Sequence, residues 1–398
     1  MIIKYSIVIP TRNRAEYLPY AIKSVLNSKR KDIELIVSNN FSTDETQDIL
    51  SKISDPRIKI ISPNVTLPMA GHYEFAISQA KGEWITILGD DDAVMPYIFE
   101  SLDKHIKQYP NIDIISSVRA YYFWKGCEDV NGNAVVRYQS NLKSQLRSTR
   151  EDLISVLKGL RTCFNMPQIY TTCMVRRSLY EEIRVKSGGC FYHSIIPDMY
   201  SVVALCLSRK KYLRVEEPLF WVGTSNKSLG RSDRIYKDAE RFRGDVMGKH
   251  ICVPKKVSSY VSYFLHSNSF SPYFIFECLL QSPLNNEMYS NKRIKTIVLA
   301  AVLNISKKRE KSEKISLKKE IYLECNRYRI LSKSLYFAAW NLRVKKYFLF
   351  TIGLPYSILR KFGLISTLTI SSNSRQKYPT ILSASDAVEI LTNKINKY

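Results

Sequence analysis

Residues 1–120 switch repeatedly between two hydrophobic periodicities, and this switching constrains the fold more than any other feature of the chain. Tyr5-Ser6-Ile7-Val8-Ile9, Ile33-Glu34-Leu35-Ile36-Val37, Arg57 to Ile61 and Trp84 to Leu88 are short apolar, β-branched runs of strand length. Between them, Ala15 to Asn27, Thr43 to Ile53 and Met69 to Ala80 carry helical spacing, with Leu18, Ile22, Val25 and Leu26 on one face of the first. Ser42 or Thr43 is the expected N-cap of the second helix, and Lys81-Gly82 the stop after the third. Strand, helix, strand at short spacing dictates right-handed crossovers and a parallel sheet. The expected fold class is α/β: a Rossmann-like, mostly parallel sheet flanked by helices.

In such a sheet, ligands bind at the carboxyl ends of the strands. Three loops there are informative. Pro10-Thr11-Arg12-Asn13-Arg14 follows the first strand, and Ser38-Asn39-Asn40-Phe41-Ser42-Thr43-Asp44 follows the second. Leu88-Gly89-Asp90-Asp91-Asp92 follows the fourth. Three carboxylates at a strand exit cannot be buried unpaired, because each costs several kcal/mol to desolvate. They form instead a hard oxygen site suited to Mg²⁺ or Mn²⁺. Taken alone, the triplet reads first as a solvated acidic turn with Asp92 capping the next helix. Converging with Arg and Asn from two neighbouring strand ends, it has the composition expected for a nucleoside diphosphate and its metal. No G-x-G-x-x-G follows the first strand and no P-loop occurs.

Four pieces in order and spacing resemble family 2 glycosyltransferases of the bacterial surface-polysaccharide type. They are Ser6 to Arg14, Glu34 to Thr46, Ala80 to Trp84 and Leu88 to Pro96. The resemblance implies the GT-A fold, with residues 1–125 as the nucleotide-sugar half and 126–240 as the acceptor half. It implies transfer of a sugar from a nucleotide donor, a UDP-sugar first, to an acceptor hydroxyl with inversion, assisted by a divalent metal (Mg or Mn). Residue by residue, Pro10, Thr11, Arg12, Arg14 and Asn39 would line base and ribose, with Asp44 behind them. Asp90 and Asp91 would hold ribose and metal, and Asp92 would be the nearest metal ligand, with Asp91. Three positions depart from the family pattern. Asn39 replaces a frequent aspartate, Arg12 a frequent aromatic, and Gly89 the first acid of the usual D-x-D.

Further along, Tyr121-Tyr122-Phe123-Trp124 reads as a strand packed on the sheet, and Ser148 to Gly159 as an amphipathic helix. Thr171 to Val175 and Glu216 to Trp221 read as strands. Pro197-Asp198 opens an apolar helix over Ser201 to Leu207, and these are ordinary helix-start residues. The family resemblance places the catalytic carboxylate at such a start, which makes Asp198 the expected base. Lys227, Arg231 and Arg234 in and after the Gly223 to Ser228 loop are candidates for the leaving phosphates, and His193 is a further site candidate.

Charge is unevenly spread. Residues 1–240 carry 33 Lys+Arg against 27 Asp+Glu, and residues 241–398 carry 27 against 9. The back part is expected to be mainly helical and basic, over Val257 to His266, Tyr273 to Gln281, Lys292 to Ile305 and Leu317 to Ser332. Tyr347 to Leu359 is apolar, broken by Gly353 and Pro355, flanked by basic pairs and too short to span a bilayer. It suits the head-group layer of an anionic membrane. With no signal peptide read at Met1 to Pro10, the expected location is cytoplasmic, peripheral on the inner face of the cell membrane. The expected acceptor is a lipid-linked saccharide in O-antigen or capsule assembly. Two alternatives stand beside this: a nucleotide-binding scaffold without catalysis, and a basic nucleic-acid-binding protein. The second lacks a zinc finger or RNP pattern and leaves the aspartates unexplained, so no nucleic-acid partner is expected. Eight scattered cysteines without a C-x-x-C pair read as reduced core thiols.

Overall fold

The computed structural model describes residues 2–127, 134–139, 144–194, 196–208, 211–228, 271–285, 292–306, 318–319, 321–326, 329–352, 367–371, 378 and 380–386. The expected helix over 257–266 and the candidates Arg231 and Arg234 lie outside these residues, as does most of the apolar stretch after Ile352.

Strands β1 (Tyr5–Thr11), β2 (Ile33–Asn39), β3 (Ile58–Ile61) and β4 (Trp84–Ile87) alternate with α1 (Leu18–Leu26), α2 (Thr46–Ser51) and α3 (Met69–Ile77). They pair in parallel in the order β3-β2-β1-β4. Pro10 does not end β1, which runs on to place Thr11 opposite Asn39. Helix α2 starts at Thr46 with no side chain on its N-cap, Glu45. The expected caps Ser42 and Thr43 serve the first loop instead: the Ser42 hydroxyl accepts from the Asn13 amide at 2.9 Å, and Asn13 Oδ1 accepts from the Thr43 amide at 2.7 Å.

Past β4 the sheet becomes mixed. The elements there are β5 (Ala93–Val94), α4 (Ile98–Gln108), β6 (Ile114–Phe123), β7 (Ala134–Gln139), β8 (Gln145–Ser148) and α5 (Thr149–Leu157). They are followed by β9 (Cys173–Arg176), α6 (Arg177–Lys186), α7 (Pro197–Ser208) and β10 (Lys211–Thr224). Strand β9 runs antiparallel between β4 and β6. The long β10 runs parallel to β6 with two register shifts and antiparallel to β5 and β8. Its far end is thereby carried up to the acidic loop.

The C-terminal part contributes α8 (Ser271–Gln281), α9 (Lys292–Ser306) and α10 (Ser332–Ile352), and also a strand, β11 (Thr367–Ser371), on the β7 edge. Val8, Ile36 and Ile87 of the sheet, Val202 and Leu205 of α7, Phe276 of α8, Leu299 of α9 and Leu335 of α10 belong to one buried cluster. Helix α7 is apolar all round because it lies inside this cluster. A smaller cluster joins Ile381 and Ala384 to Tyr17, Trp124 and Trp221, and Trp221 Nε1 donates to Ser385 Oγ at 2.8 Å. Cys127, Cys163, Cys173, Cys206, Cys278 and Cys325 are buried thiols. Cys190 is disulfide-bonded, so the uniform thiol expectation fails there.

One ion pair in the helical part is almost fully enclosed: Lys295 Nζ and Glu324 meet at 3.0 Å with side chains 4% and 3% exposed. Removing one partner of such a pair leaves an uncompensated buried charge, at a cost of about 3–5 kcal/mol, whereas apolar replacement of both is near neutral. Glu324→Ala is expected to show a loss of that size in urea unfolding. Lys295→Met with Glu324→Met is expected to stay close to the parent.

Candidate functional site

The three strand-end loops meet. Two non-glycine residues in the left-handed region, Asn13 (φ 59°) and Phe41 (φ 55°), turn the first and second loops toward each other. Asp44 braces the first loop by accepting from the Ala15 amide at 3.1 Å. Arg14 then reaches the acidic loop, where its Nε donates to Asp90 Oδ1 at 3.0 Å. Its Nη2 donates to the Lys227 carbonyl at 2.7 Å, and Lys227 Nζ donates back to the Asn13 carbonyl at 3.3 Å. Pro10 and Thr11 are buried under this junction and Arg12 is exposed beside it. Asn39 is 4% exposed. Both ends of its amide are engaged, with Gln47 Oε1 at 2.9 Å and the Ser42 amide at 3.1 Å.

The three aspartates have different surroundings. Asp92, 1% exposed, accepts from the Gly223 amide at 2.6 Å on one oxygen. Its other oxygen takes the Gly89 amide at 3.1 Å and the Thr171 hydroxyl. Asp91 Oδ2 accepts from the Ser225 and Ser228 hydroxyls, each at 2.6 Å. Its carbonyl accepts from Trp124 Nε1 at 2.9 Å. Asp90 keeps one oxygen for Arg14. Burial pushes the Asp90 carboxyl up to about 6, with Arg14 pulling down and Asp91 pushing up. Burial pushes Asp92 up as well, reinforced by the charge of Asp91.

Free lone pairs decide which carboxylates suit a divalent cation. Asp92, expected as the nearest ligand, accepts one protein donor on Oδ1 and two on Oδ2. Asp91 Oδ1 meets no protein donor among the described residues, and beside it Asp90 is held by Arg14 and favoured by the Thr11 hydroxyl. No cluster of three or more His, Cys, Asp or Glu forms a cage among the described residues. Two carboxylates suit Mg²⁺, which characteristically takes one or two carboxylates and fills its shell with water and substrate phosphates.

Asp198 stands in the first turn of α7, half-buried. Burial raises its pKa, opposed by the Met199 amide and the charge of Arg119. Tyr73 connects it to the triplet. After burial, the charges of Asp198, Asp90, Asp92 and Asp91 all raise the Tyr73 hydroxyl. Tyr73 stacks on Tyr170 with ring centroids 6.2 Å apart and meets Tyr192 edge-on. Arg119 donates to Gln168 Oε1 at 2.8 Å. His193 bonds the Cys190 carbonyl at 3.0 Å and packs on Tyr200. Tyr73, Tyr170, Thr171, Arg119 and Gln168 carry no sequence signal of their own, and only the fold brings them here.

A parallel sheet with an acid-rich crevice at its strand ends and a mixed second half defines a GT-A-type α/β protein. Residues 6–184 match the sequence profile of Glycosyl transferase family 2. It is 30% identical over 145 residues to the GalNAc(5)-diNAcBac-PP-undecaprenol beta-1,3-glucosyltransferase of Campylobacter jejuni, covering 36% of this chain and 41% of that one. It is 38% identical over 87 residues to the UDP-Glc:alpha-D-GlcNAc-diphosphoundecaprenol beta-1,3-glucosyltransferase WfaP of Escherichia coli, covering 22% and 35%. The chain thus matches less than half the length of either. The crystal structure of S. aureus TarS 1–349 with UDP-GlcNAc aligns at 13% identity and TM-score 0.46, over 76% of this chain and 81% of that one.

The glycine at the first D-x-D position has a local cause. A Cβ at Gly89 would lie 2.6 Å from Tyr170 Oη and closer still to the Asp92 carboxylate. Gly89→Asp, the substitution toward the usual motif, is therefore expected to destabilise by about 1–3 kcal/mol through overpacking and to weaken nucleotide binding. Thermal melting with and without UDP checks both; a variant that binds UDP better than the parent would refute this packing argument.

Proposed function

We propose that this protein is an inverting glycosyltransferase that moves a sugar from a nucleoside-diphosphate donor, UDP-sugar first, to the hydroxyl of a lipid-linked saccharide in surface-polysaccharide assembly. The observation that carries this reading is the pairing of Arg14 with Asp90 at the strand ends, together with Tyr73, whose hydroxyl feels the charges of both the aspartate triplet and Asp198. The family 2 profile match supports the reaction class, and the undecaprenyl-diphosphate substrates of the Campylobacter and Escherichia relatives support a diphosphate-lipid acceptor.

In this reading Pro10, Thr11, Arg12, Arg14 and the Asn39 loop cradle the nucleoside, and Asp90 and Asp91 hold the divalent cation. That ion, when bound, neutralises the charge growing on the leaving diphosphate. Lys227 and the Ser225–Ser228 turn close the donor end. Asp198 takes the proton from the acceptor hydroxyl as its oxygen bonds to the anomeric carbon, on the face opposite the departing nucleoside diphosphate. Burial helps here, because a carboxylate whose pKa is raised is a stronger base.

Asp198→Asn is expected to lower kcat by about 10²–10⁴-fold while the affinity for UDP-sugar stays within a few-fold. The parent should lose kcat as pH falls through the raised Asp198 pKa, since the base works only when ionised. Full turnover by Asp198→Asn, measured as UDP release in the presence of acceptor, would remove Asp198 from the base role.

No helix among the described residues is long and apolar enough to cross a membrane. Helix α10 nevertheless exposes Tyr336, Phe337, Trp340 and Val344, at 43%, 64%, 58% and 46%, while Leu335 and Ala339 on its other side are fully buried. Lys333 and Arg343 flank this aromatic stripe. Aromatic rings between cations match the interface of an anionic bilayer, and the basic excess of residues 241–398 supports the same placement. Co-sedimentation with phosphatidylglycerol vesicles is expected to fall at least fivefold in Phe337→Ser with Trp340→Ser. Neutral phosphatidylcholine vesicles are expected to bind the parent weakly.

A further inference from the structure

A second charged feature lies outside the donor crevice. Arg147, Arg161, Asn165, Arg214 and Glu216 line a cavity of about 180 Å³. Two of the arginines are held rigidly. Asp152, 4% exposed, takes Arg147 Nε at 2.8 Å, Arg147 Nη2 at 2.6 Å and Arg161 Nη1 at 2.6 Å, and it also accepts from the Tyr212 hydroxyl at 2.7 Å. The third, Arg214, meets no carboxylate at ion-pair distance among the described residues, and donates only to the Asn165 carbonyl at 3.3 Å. Burial lowers its pKa, opposed by Tyr212 and the charge of Glu216 and reinforced by the charges of Arg119 and Arg147. This region therefore holds more positive charge than its own carboxylates offset.

The position of the cavity is as informative as its charge. Arg161 and Asn165 belong to the segment that continues through Gln168 to Tyr170 and Thr171, the wall of the catalytic crevice. Arg119 stands between the two places. It lies 5.0 Å over the Phe164 ring, donates to Gln168, favours the Asp198 carboxylate and repels Arg214. Its Nε is a buried N–H without an acceptor. Planar guanidiniums held in fixed forks match phosphate oxygens bidentately.

We propose that this arginine pocket receives the diphosphate of the lipid-linked acceptor, next to the base that activates its sugar. The proposal deepens the acceptor side of the reaction above and rests on that reading. The donor diphosphate keeps its own place at Asp90 and Asp91, so the two diphosphates of one reaction occupy separate sites, with Asp198 between them. Arg161 and Arg214 supply the attraction, Asp152 fixes the geometry, and Glu216 borders the pocket on its one acidic side.

The test is calorimetric titration of the full chain, first loaded with saturating UDP and Mn²⁺ so that the donor site is filled. Farnesyl diphosphate and inorganic pyrophosphate are the two probes. Farnesyl diphosphate is expected to bind the loaded protein, and Arg161→Gln with Arg214→Gln to weaken it at least tenfold while UDP affinity is unchanged. Arg161→Gln alone, at an outer position, is the variant to use if the double substitution does not fold, with at least a threefold loss expected. Equal binding by parent and variants, or no binding to the UDP-loaded protein, overturns the pocket assignment. Inorganic pyrophosphate binding as tightly as farnesyl diphosphate overturns the lipid-linked source and makes the pocket a site for free phosphate. Failure of UDP itself to bind overturns the glycosyltransferase reading instead, a distinct result.

Discussion

Three adjacent carboxylates sit at the buried end of a strand, and the rest of the site follows from the need to offset their desolvation. Each would cost several kcal/mol if left unpaired in a low-dielectric setting. The chain supplies the partners from four separate places: Arg14 from the first loop, Thr171 before β9, Gly223 at the end of β10, and Ser225 with Ser228 just beyond it. Arg14 arrives through the pairing of β1 with β4, but the other partners can reach the triplet only when the second half of the sheet has formed. The acidic loop therefore acts as a fold constraint before it acts on any ligand. Two glycines express the same constraint sterically. Gly89 has Asp92 and Tyr170 where a Cβ would be, and Gly223 has the Asp91 carbonyl there.

The hydrophobic clusters extend this support to the far end of the chain. Trp124 donates to the Asp91 carbonyl and packs on Tyr17 and Tyr20, with ring centroids 4.9 Å and 5.2 Å away. Behind it, Trp221 is tied to Ser385, and Tyr122 donates to the Tyr378 carbonyl at 3.1 Å. Residues 378–385 thus buttress the loop that carries the aspartates, although they come almost 300 residues later. Helices α8 and α9 close over α5 and α7 in the same core. The position of Asp198 is set by that packing, since α7 has no solvent face on which it could shift without exposing apolar surface.

What could be read from residues alone divides along contact range. The strand–helix alternation of residues 1–120, the loops at their ends and the helix beginning at Pro197 were legible, because periodicity and punctuation are local. So was the meeting of the first loop with the aspartates, since parallel strand order forces it. The order of bonds within the triplet was not. The bonds that Asp92 accepts come from Thr171 and Gly223, 79 and 131 residues away. Asn39 likewise turned inward to Gln47, because α2 began two or three residues later than its polar lead-in suggested. The strand at Thr367–Ser371 was hidden because its partner β7 lies more than 200 residues upstream, and pairing at that distance leaves no short-range pattern.

The crevice also has an electrical direction. Its donor end gathers three aspartates against one arginine. The separate pocket beyond Arg119 gathers three arginines against Asp152 and Glu216. Beside them stand the half-buried Tyr73 and Tyr170, whose hydroxyls are kept protonated by burial and by the neighbouring acids. Neutral aromatic walls suit a sugar ring, which offers apolar faces and hydroxyl edges and carries no charge to repel either end. A saccharide passing from one diphosphate toward another would find each charge pattern matched to its own carrier. The transfer would then run along the polarity built into the fold, with Asp198 placed where the acceptor hydroxyl crosses from one end to the other.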